Sequence, residues 1–186
     1  MTQVSQTDSA PGVLARIDSG IARAETVLIG ALMLAIFGLL MLNVISRSIG
    51  SPVIWVDEAA VFLMIWVALT GASLALFARQ HLAVTLLPDL LSESARHALA
   101  RAVDVLLFGF FLLFAVILWM WFDPITLWQA GSVREFSRAT FNFLYQEPTV
   151  TLGIRKIWFW LAMPVFCLCG LVHTGAHILG RGGVRT

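Results

Sequence analysis

The sequence has few charged residues, and this scarcity decides its class. Of its 186 residues, 12% are Asp, Glu, Lys or Arg, and 59% are hydrophobic. Soluble domains carry charge on about a quarter of their residues, so the composition excludes an ordinary soluble domain and predicts an integral membrane protein. The formal net charge is only +1. It therefore provides neither a basic surface for nucleic acid nor an acidic tail.

Cysteine is also scarce. Cys167 and Cys169 lie one residue apart in an apolar run and lack the C-x-x-C spacing of a redox pair. We expect both to be packing residues, with a reactive or disulfide role as the alternative.

Long hydrophobic runs are abundant. Uncharged runs of spanning length cover residues 26–46, 59–78, 105–122 and 157–180, and about 20 apolar residues cross a bilayer as a helix. The third run is extended toward Leu99 because Arg101 can snorkel to the interface. The prediction is an all-α integral membrane protein with one domain, residues 26–180. Its four transmembrane helices are placed at about 26–46, 59–78, 99–122 and 157–179, which leaves no room for a separate catalytic domain.

The flanking segments are short and more polar. Residues 1–12 have too little apolar surface to pack, so we expect a disordered tail; residues 181–186 form the C-terminal tail. In residues 13–25 apolar positions recur at helical spacing among charged ones, which predicts an amphipathic interfacial helix. A cleaved secretory signal is disfavoured because the apolar run that follows is long and lacks an A-x-A-like site. Residues 81–98 are interpreted as a second interfacial segment.

The distribution of basic residues predicts the orientation. With the N-terminus in the cytoplasm, seven arginines lie inside against five Arg or Lys outside, which favours an N-in, C-in topology. Six of the seven tryptophans then fall on the outer side, as in an aromatic belt, and all four histidines fall on the inner side.

The connection from 123 to 156 is the longest, and it mixes aromatic with charged residues. It is too apolar for a solvated loop and too charged for a span. We interpret it as interfacial, lying on the membrane or against another protein; the alternative is a re-entrant packing element of this same chain.

A polar group marks the boundary between the first two spans. Asp57 and Glu58 open the second span, where a helix N-terminus favours carboxylates, and Trp55 can anchor it. The other interpretation is that Asn43 and Arg47, four residues apart on one face, meet this acidic pair across a tight turn and form a surface for a partner.

The histidines suggest a rival function. His173 and His177 share a face of the fourth span, and His81 and His97 come from the inner connection, so they could converge on a haem or a metal. No carboxylate accompanies the first two in the sequence, and Asp104 is the one charge expected inside a span. We therefore predict no cofactor, no metal and no catalytic residue.

Small residues predict close helix contacts. Ala68 and Ala72, and also Gly71 and Ala75, are spaced four apart in the second span, and such pairs allow helices to approach closely within a bundle or between subunits. No span is broken by Gly and Pro at its centre, as substrate sites in secondary transporters often are. An autonomous transporter is therefore disfavoured.

These motifs together resemble a known family. Their order is Asn43-x-x-x-Arg47, Trp55-x-Asp57-Glu58, Gly71-Ala72 and Arg79-x-His81-x-x-Val84. This order resembles the small membrane subunit, of DctQ type, of tripartite ATP-independent periplasmic (TRAP) transporters. The motifs cover roughly residues 25 to 90, and the rest agrees by length and span number. The 123–156 connection looks longer than is usual there, so residues 136–151 have no family-based role.

The resemblance implies a function that depends on partners. In that family the small subunit scaffolds a large multi-span permease subunit in the bacterial inner membrane, and a periplasmic solute-binding protein delivers an organic acid or similar solute for sodium-driven uptake. We therefore expect a non-enzymatic subunit in contact with the large subunit and with membrane lipid. The alternative is a haem- or quinone-associated membrane anchor of an oxidoreductase. The partner-interface candidates are Asn43, Arg47, Trp55, Asp57, Glu58, Ala68, Gly71, Ala72, Ala75, Arg79 and His81.

Overall fold

The structure, a computed structural model, describes residues 13–78 and 92–179. The predicted tails at 1–12 and 181–186 lie outside the described residues, as does most of the predicted inner interfacial segment. Two of the partner-interface candidates, Arg79 and His81, also fall there.

The described residues form helices and no strand. A single isolated antiparallel bridge pairs Pro148 with Arg155. The helices are α1 (Val13–Ser48), α2 (Trp55–Phe77), α3 (Glu93–Phe122), α4 (Pro124–Ala130), α5 (Val133–Thr140), α6 (Ile157–Trp160) and α7 (Ala162–Leu179). The all-α fold class is confirmed.

Four stretches are long and apolar enough to cross a membrane. They are Val13–Ser48, Trp55–Phe77, Glu93–Ala130 and Ile157–Leu179, and each contains an 18-residue window whose mean hydropathy is 2.6, 2.2, 2.6 and 1.7, respectively. Few of their side chains are buried within the chain, so their apolar surfaces are available to lipid or to another subunit. The four predicted transmembrane helices are confirmed. The N-in, C-in orientation stays a prediction.

Helix α1 runs without a break through the segment that was expected to be a separate interfacial helix. It has 36 residues and is therefore about 54 Å long, well beyond the roughly 30 Å of a bilayer core. No proline interrupts residues 13–25, and three of them, Asp18, Ala22 and Glu25, are buried. Residues 13–25 are thus the first turns of α1, with one face packed against the bundle.

Helix α7 is the centre of the bundle. It packs against α3, α2 and α1, and α1 and α2 also pair along their lengths. The apolar core lies where α2, α3 and α7 meet and contains Leu76, Phe111, Leu118 and Cys167. The Cys167 Sγ donates a hydrogen bond to the Phe111 carbonyl at 3.5 Å, which places this cysteine in the packing role that the sequence predicts.

A glycine sets the distance between α3 and α7. A Cβ added at Gly170 would lie 2.3 Å from Cζ of Phe111, far closer than two non-bonded carbon atoms can approach. The Phe111 ring therefore lies directly on the α7 backbone. Gly170 is not one of the small residues that the sequence pattern predicts at a close helix contact.

Candidate functional site

The turn between α1 and α2 brings polar side chains of both helices together. Gly50 takes a left-handed backbone conformation, with φ of 75°, which glycine adopts without a steric penalty. The Ser51 N–H donates to the Ser46 carbonyl at 3.0 Å. The turn reverses the chain so that the end of α1 faces the start of α2. We call this part of the bundle the Arg47 end.

Three side chains form a closed set of contacts there, which we call the polar ring. Arg47 Nη2 lies 2.9 Å from Asp57 Oδ2, and Arg47 Nε donates to Asn43 Oδ1 at 2.8 Å. Asn43 Nδ2 in turn donates to Asp57 Oδ1. The ring thus ties α1 to α2 through each of its three members. The side chains of Arg47 and Asp57 are 62% and 54% exposed, so water screens the ion pair.

Glu58 does not join the polar ring, contrary to the expectation that both carboxylates would meet Arg47. Its Oε1 accepts from the backbone N–H of Val150 at 2.8 Å, and its Oε2 accepts from those of Thr151 at 2.6 Å and Leu152 at 3.1 Å. The Thr151 hydroxyl adds a fourth bond, at 2.6 Å. Consecutive residues of a helix point in different directions, so Asp57 faces α1 while Glu58 faces a loop more than ninety residues away.

The loop that Glu58 holds is a tight hairpin turn. The Thr149 N–H donates to the Ile154 carbonyl at 2.8 Å, and Gly153 takes a φ of 70°. This geometry turns three successive N–H groups toward one point, an arrangement that suits a carboxylate. The sequence does not predict the contact between Glu58 and residues 150–152, because the two are distant along the chain. Its only local signal is the T-L-G turn at 151–153.

The 123–156 segment is folded onto the bundle. Its own residues Phe136 and Leu144 are buried. Asn142 Nδ2 donates a hydrogen bond to the Trp121 carbonyl, at the end of α3, at 2.8 Å. The Tyr145 hydroxyl donates to the Phe122 carbonyl at 2.5 Å. Burial and the nearby charge of Asp123 raise the pKa of Tyr145, so its phenol keeps the proton that this bond needs. Phe136, Asn142, Leu144 and Tyr145 therefore pack against their own chain, as in the second interpretation of this segment.

Part of the same segment faces outward and is strongly apolar. Three of its large side chains, Trp128, Phe141 and Val150, are more than 60% exposed, as is Trp158 just beyond it in α6. Exposed aromatic residues of this kind are typical of a membrane interface. The segment thus packs inward on the bundle and also presents an apolar surface outward.

At the opposite end of the bundle, three ionisable side chains are buried together, and we call them the buried triad. His173 Nδ1 lies 2.6 Å from Asp18 Oδ1, and His173 Nε2 lies 3.2 Å from Glu25 Oε2. The His173 side chain is fully buried, and those of Asp18 and Glu25 are 11% and 8% exposed. The triad connects α1 to α7, at what we call the His173 end.

The buried triad corrects two expectations. Carboxylates do accompany His173, and Asp104 is not the one charge buried in the spanning helices. Asp18 and Glu25 are seven residues apart, so on a continuous helix they lie two turns apart on one face. That spacing was the available signal. It indicates burial only if α1 begins at residue 13, because on a separate surface helix the acidic side chains would face water.

The same contacts bear on the haem hypothesis. Both ring nitrogens of His173 already face carboxylates, so neither is directed toward a shared ligand site. His177 Nδ1 lies 3.7 Å from Asp104 Oδ1, and the exposed His97 lies 4.0 Å from Glu93. Across residues 13–78 and 92–179, no group of three or more His, Cys, Asp or Glu side chains is arranged to hold a metal ion. The geometry therefore gives this hypothesis no support.

The predicted small-residue face is largely exposed on this chain. Ala68 and Ala72 are exposed, and Gly71 and Ala75 are partly buried. A Cβ at Gly71 would meet nothing within 4 Å, so this glycine makes no close helix contact within the chain. Of the remaining candidates, Trp55 is 41% exposed. The face is therefore open to lipid or to another subunit.

Comparison with known proteins identifies the family of this chain. Residues 36–181 match the DctQ component family of the tripartite ATP-independent periplasmic transporters. The chain is also similar to the sialic acid TRAP transporter permease protein SiaT of Haemophilus influenzae (strain 86-028NP), with 30% identity over 150 residues. The similarity covers 80% of this chain but only 21% of that relative, so the chain spans about a fifth of the relative's length.

Proposed function

Because the chain belongs to the DctQ family of TRAP transporters, we propose that it is the small membrane subunit that scaffolds a large permease subunit. On this proposal the complex imports an organic acid or similar solute, driven by sodium and supplied by a periplasmic binding protein. The chain carries no catalytic residue of its own. It lies in the bacterial inner membrane with both termini in the cytoplasm.

The observation that carries the proposal is the family match over residues 36–181, which includes the last part of α1 and the whole of the other three apolar helices. The relative from Haemophilus influenzae is named as a permease for sialic acid, and this chain covers 21% of it. The activity named for that whole protein thus involves far more sequence than the matched part. We infer that a large permease portion is needed for transport here too.

The contacts within the chain suit a scaffold. The polar ring joins α1 to α2, Glu58 joins α2 to the turn at 150–152, and the buried triad joins α1 to α7. The first two contacts lie at the Arg47 end and the third lies at the His173 end, so the bundle is held at both ends. A bundle restrained in this way can keep its shape while a partner moves against it.

We propose that the exposed face of α2 contacts the large subunit. Val61, Met64, Ala68 and Ala72 are all exposed, and their spacing places them on one side of the helix. Small residues on such a face let a second helix approach closely, and in a membrane this packing drives helix association. The polar ring lies at one end of the same helix and would position it.

The direct test is affinity purification in a mild detergent that preserves membrane complexes. A tagged chain should recover a large multi-span subunit at equal stoichiometry, and solute uptake in liposomes should need both subunits and the binding protein. Recovery of the chain alone, or uptake by the chain alone, would contradict the scaffold function. Haem absorbance that is lost in His173→Ala would instead support the oxidoreductase anchor.

The interface is tested separately. Ala68→Leu and Ala72→Leu each add three carbons to the exposed α2 face, and we expect reduced recovery of the large subunit. Gly109→Val is the matched control, because it also adds three carbons at an exposed position, on α3, where a Cβ meets nothing within 4 Å. Equal recovery from all three variants would remove the α2 face from the proposal but leave the family function intact.

A further inference from the structure

A pocket with two arginines lies on the 123–156 segment. Its volume is about 370 Å³, and it is lined by Val133, Arg134, Gln146 and Arg155. The lining comes from three places: the start of α5, the turn that follows it, and the strand-like stretch that leads to α6. Gln146 is held in place because its Nε2 donates to the Val133 carbonyl at 3.0 Å. The pocket is therefore built by the fold of the segment.

The two arginines differ from the other cations of this segment. Arg138 lies 3.9 Å from Glu135, and Lys156 lies 2.6 Å from Glu147. Among the described residues, no ion pair involves the side chain of Arg134 or of Arg155. Two guanidinium groups thus line one pocket without a carboxylate, and their mutual repulsion makes it favourable for an anion to bind between them.

The surroundings of the pocket indicate which anion it meets. The same segment exposes Trp128 by 88% and Phe141 by 82%, and Trp158, just beyond it in α6, is 63% exposed. Aromatic side chains of this kind lie at the level of lipid headgroups. Phosphate is the anion present in quantity at that level, and guanidinium binds it through paired charge-assisted hydrogen bonds.

We propose that the pocket of Arg134, Gln146 and Arg155 binds the phosphate of an anionic phospholipid headgroup in the leaflet at the Arg47 end. The two guanidinium groups hold the phosphate oxygens, and the exposed aromatic side chains lie among the neighbouring headgroups. Glu58 fixes the nearby turn and so keeps the segment at the membrane surface. This site is separate from the α2 face and does not depend on the transporter function.

The test uses the full chain, with its membrane partners where they co-purify, in nanodiscs of phosphatidylcholine with added phosphatidylglycerol. Native mass spectrometry after release into detergent counts the phosphatidylglycerol that stays bound. An arginine near a lipid surface contributes roughly a fivefold change in binding, so Arg134→Gln and Arg155→Gln should each reduce retention about fivefold. The double variant should reduce it further.

Arg138→Gln is the matched control, since it removes the same charge from the same segment at a position already paired with Glu135. It should retain phosphatidylglycerol like the wild type. Arg134→Lys with Arg155→Lys keeps the charge and tests the guanidinium geometry, and we expect retention between the wild type and the Gln variants. Unchanged circular dichroism and melting temperature establish that each variant is folded.

Equal retention of phosphatidylglycerol by the folded double Gln variant and the wild type would overturn the proposal. So would a double variant that keeps the lipid but loses association with the solute-binding protein, because the pocket would then serve an acidic protein surface. An equal loss of lipid in Arg138→Gln would also contradict it, since that result would reflect total charge alone.

Discussion

The polar ring at the Arg47 end is exposed, whereas the buried triad at the His173 end is enclosed by α1 and α7. Both connect α1 to another helix, and both pair carboxylates with cationic or ionisable nitrogen. Water screens the ion pair of the ring, since its side chains are more than half exposed. The triad has no such screening, because the His173 side chain is fully buried. Loss of one member should therefore cost much more stability at the His173 end than at the Arg47 end.

The difference has a consequence for function. The side chains of an exposed ring can exchange their contacts with water and with other polar groups. A buried triad cannot do so without opening the bundle. The polar contacts at the Arg47 end are therefore accessible from outside the bundle, whereas those at the His173 end are not.

The largest expected effect is at the triad. His173→Leu leaves two carboxylates buried without a partner, which typically costs about 3–5 kcal/mol of stability. Thermal melting of the purified protein should show a large loss. His97→Leu is the control, since its side chain is 56% exposed and the change should have little effect. A melting temperature for His173→Leu equal to that control would mean that the triad does not stabilise the bundle.

Removing the carboxylates as well sharpens this test. In the triple variant His173→Leu, Asp18→Leu, Glu25→Leu, no unpaired charge remains, and apolar replacements of a whole buried network are often neutral or stabilising. We expect the triple variant to recover most of the stability that the single variant loses. If it melts at or below the single variant, packing rather than charge accounts for the loss.

The next effect concerns the helix that carries His173. Gly170→Ala would place a Cβ 2.3 Å from the Phe111 ring, and overpacking of a buried contact typically costs about 1–3 kcal/mol. Gly109→Ala is the matched control, because a Cβ there meets nothing within 4 Å and alanine favours a helix. The melting temperature should fall for the first variant only. Equal values would mean that α3 and α7 are not in close contact.

A smaller and local effect is expected at Glu58. Glu58→Gln removes the charge from a group that accepts four hydrogen bonds from residues 150–152, and hydrogen bonds to a charged group are the stronger ones. Amide hydrogen exchange at these residues should become faster, with little change elsewhere. Glu135→Gln is the control on the same segment. Unchanged exchange at 150–152 would show that the turn holds its shape without Glu58.

The smallest effect on stability is expected at the polar ring. Arg47→Gln removes an exposed ion pair, and such pairs contribute about 0.2–1 kcal/mol. The loss should shrink as salt concentration rises, since the Debye length falls. Arg23→Gln, an exposed arginine near the other end of α1, is the control. A loss from Arg47→Gln that is as large as that from His173→Leu, or insensitive to salt, would remove the distinction between the two ends.

The sequence predicted the helices better than it predicted their contacts. The spans could be located because apolar runs and their charged limits are local properties, and the meeting of Asn43, Arg47 and Asp57 could be anticipated because a short turn separates them. The partners of Glu58 and of His173 could not be anticipated. They lie more than ninety residues away along the chain, and no local pattern indicates which distant segments will pack together.

The sequence by itself determined that this is a four-span membrane protein, because the thickness of a bilayer sets the length of an apolar helix and charge cannot enter its centre without a partner. Only the tertiary structure decided which polar residues are paired. The first turns of α1 could have been a surface helix with its acidic residues in water. Packing against α7 instead encloses Asp18 and Glu25 with His173, since the burial of carboxylates is tolerated only where a hydrogen-bonding partner meets them.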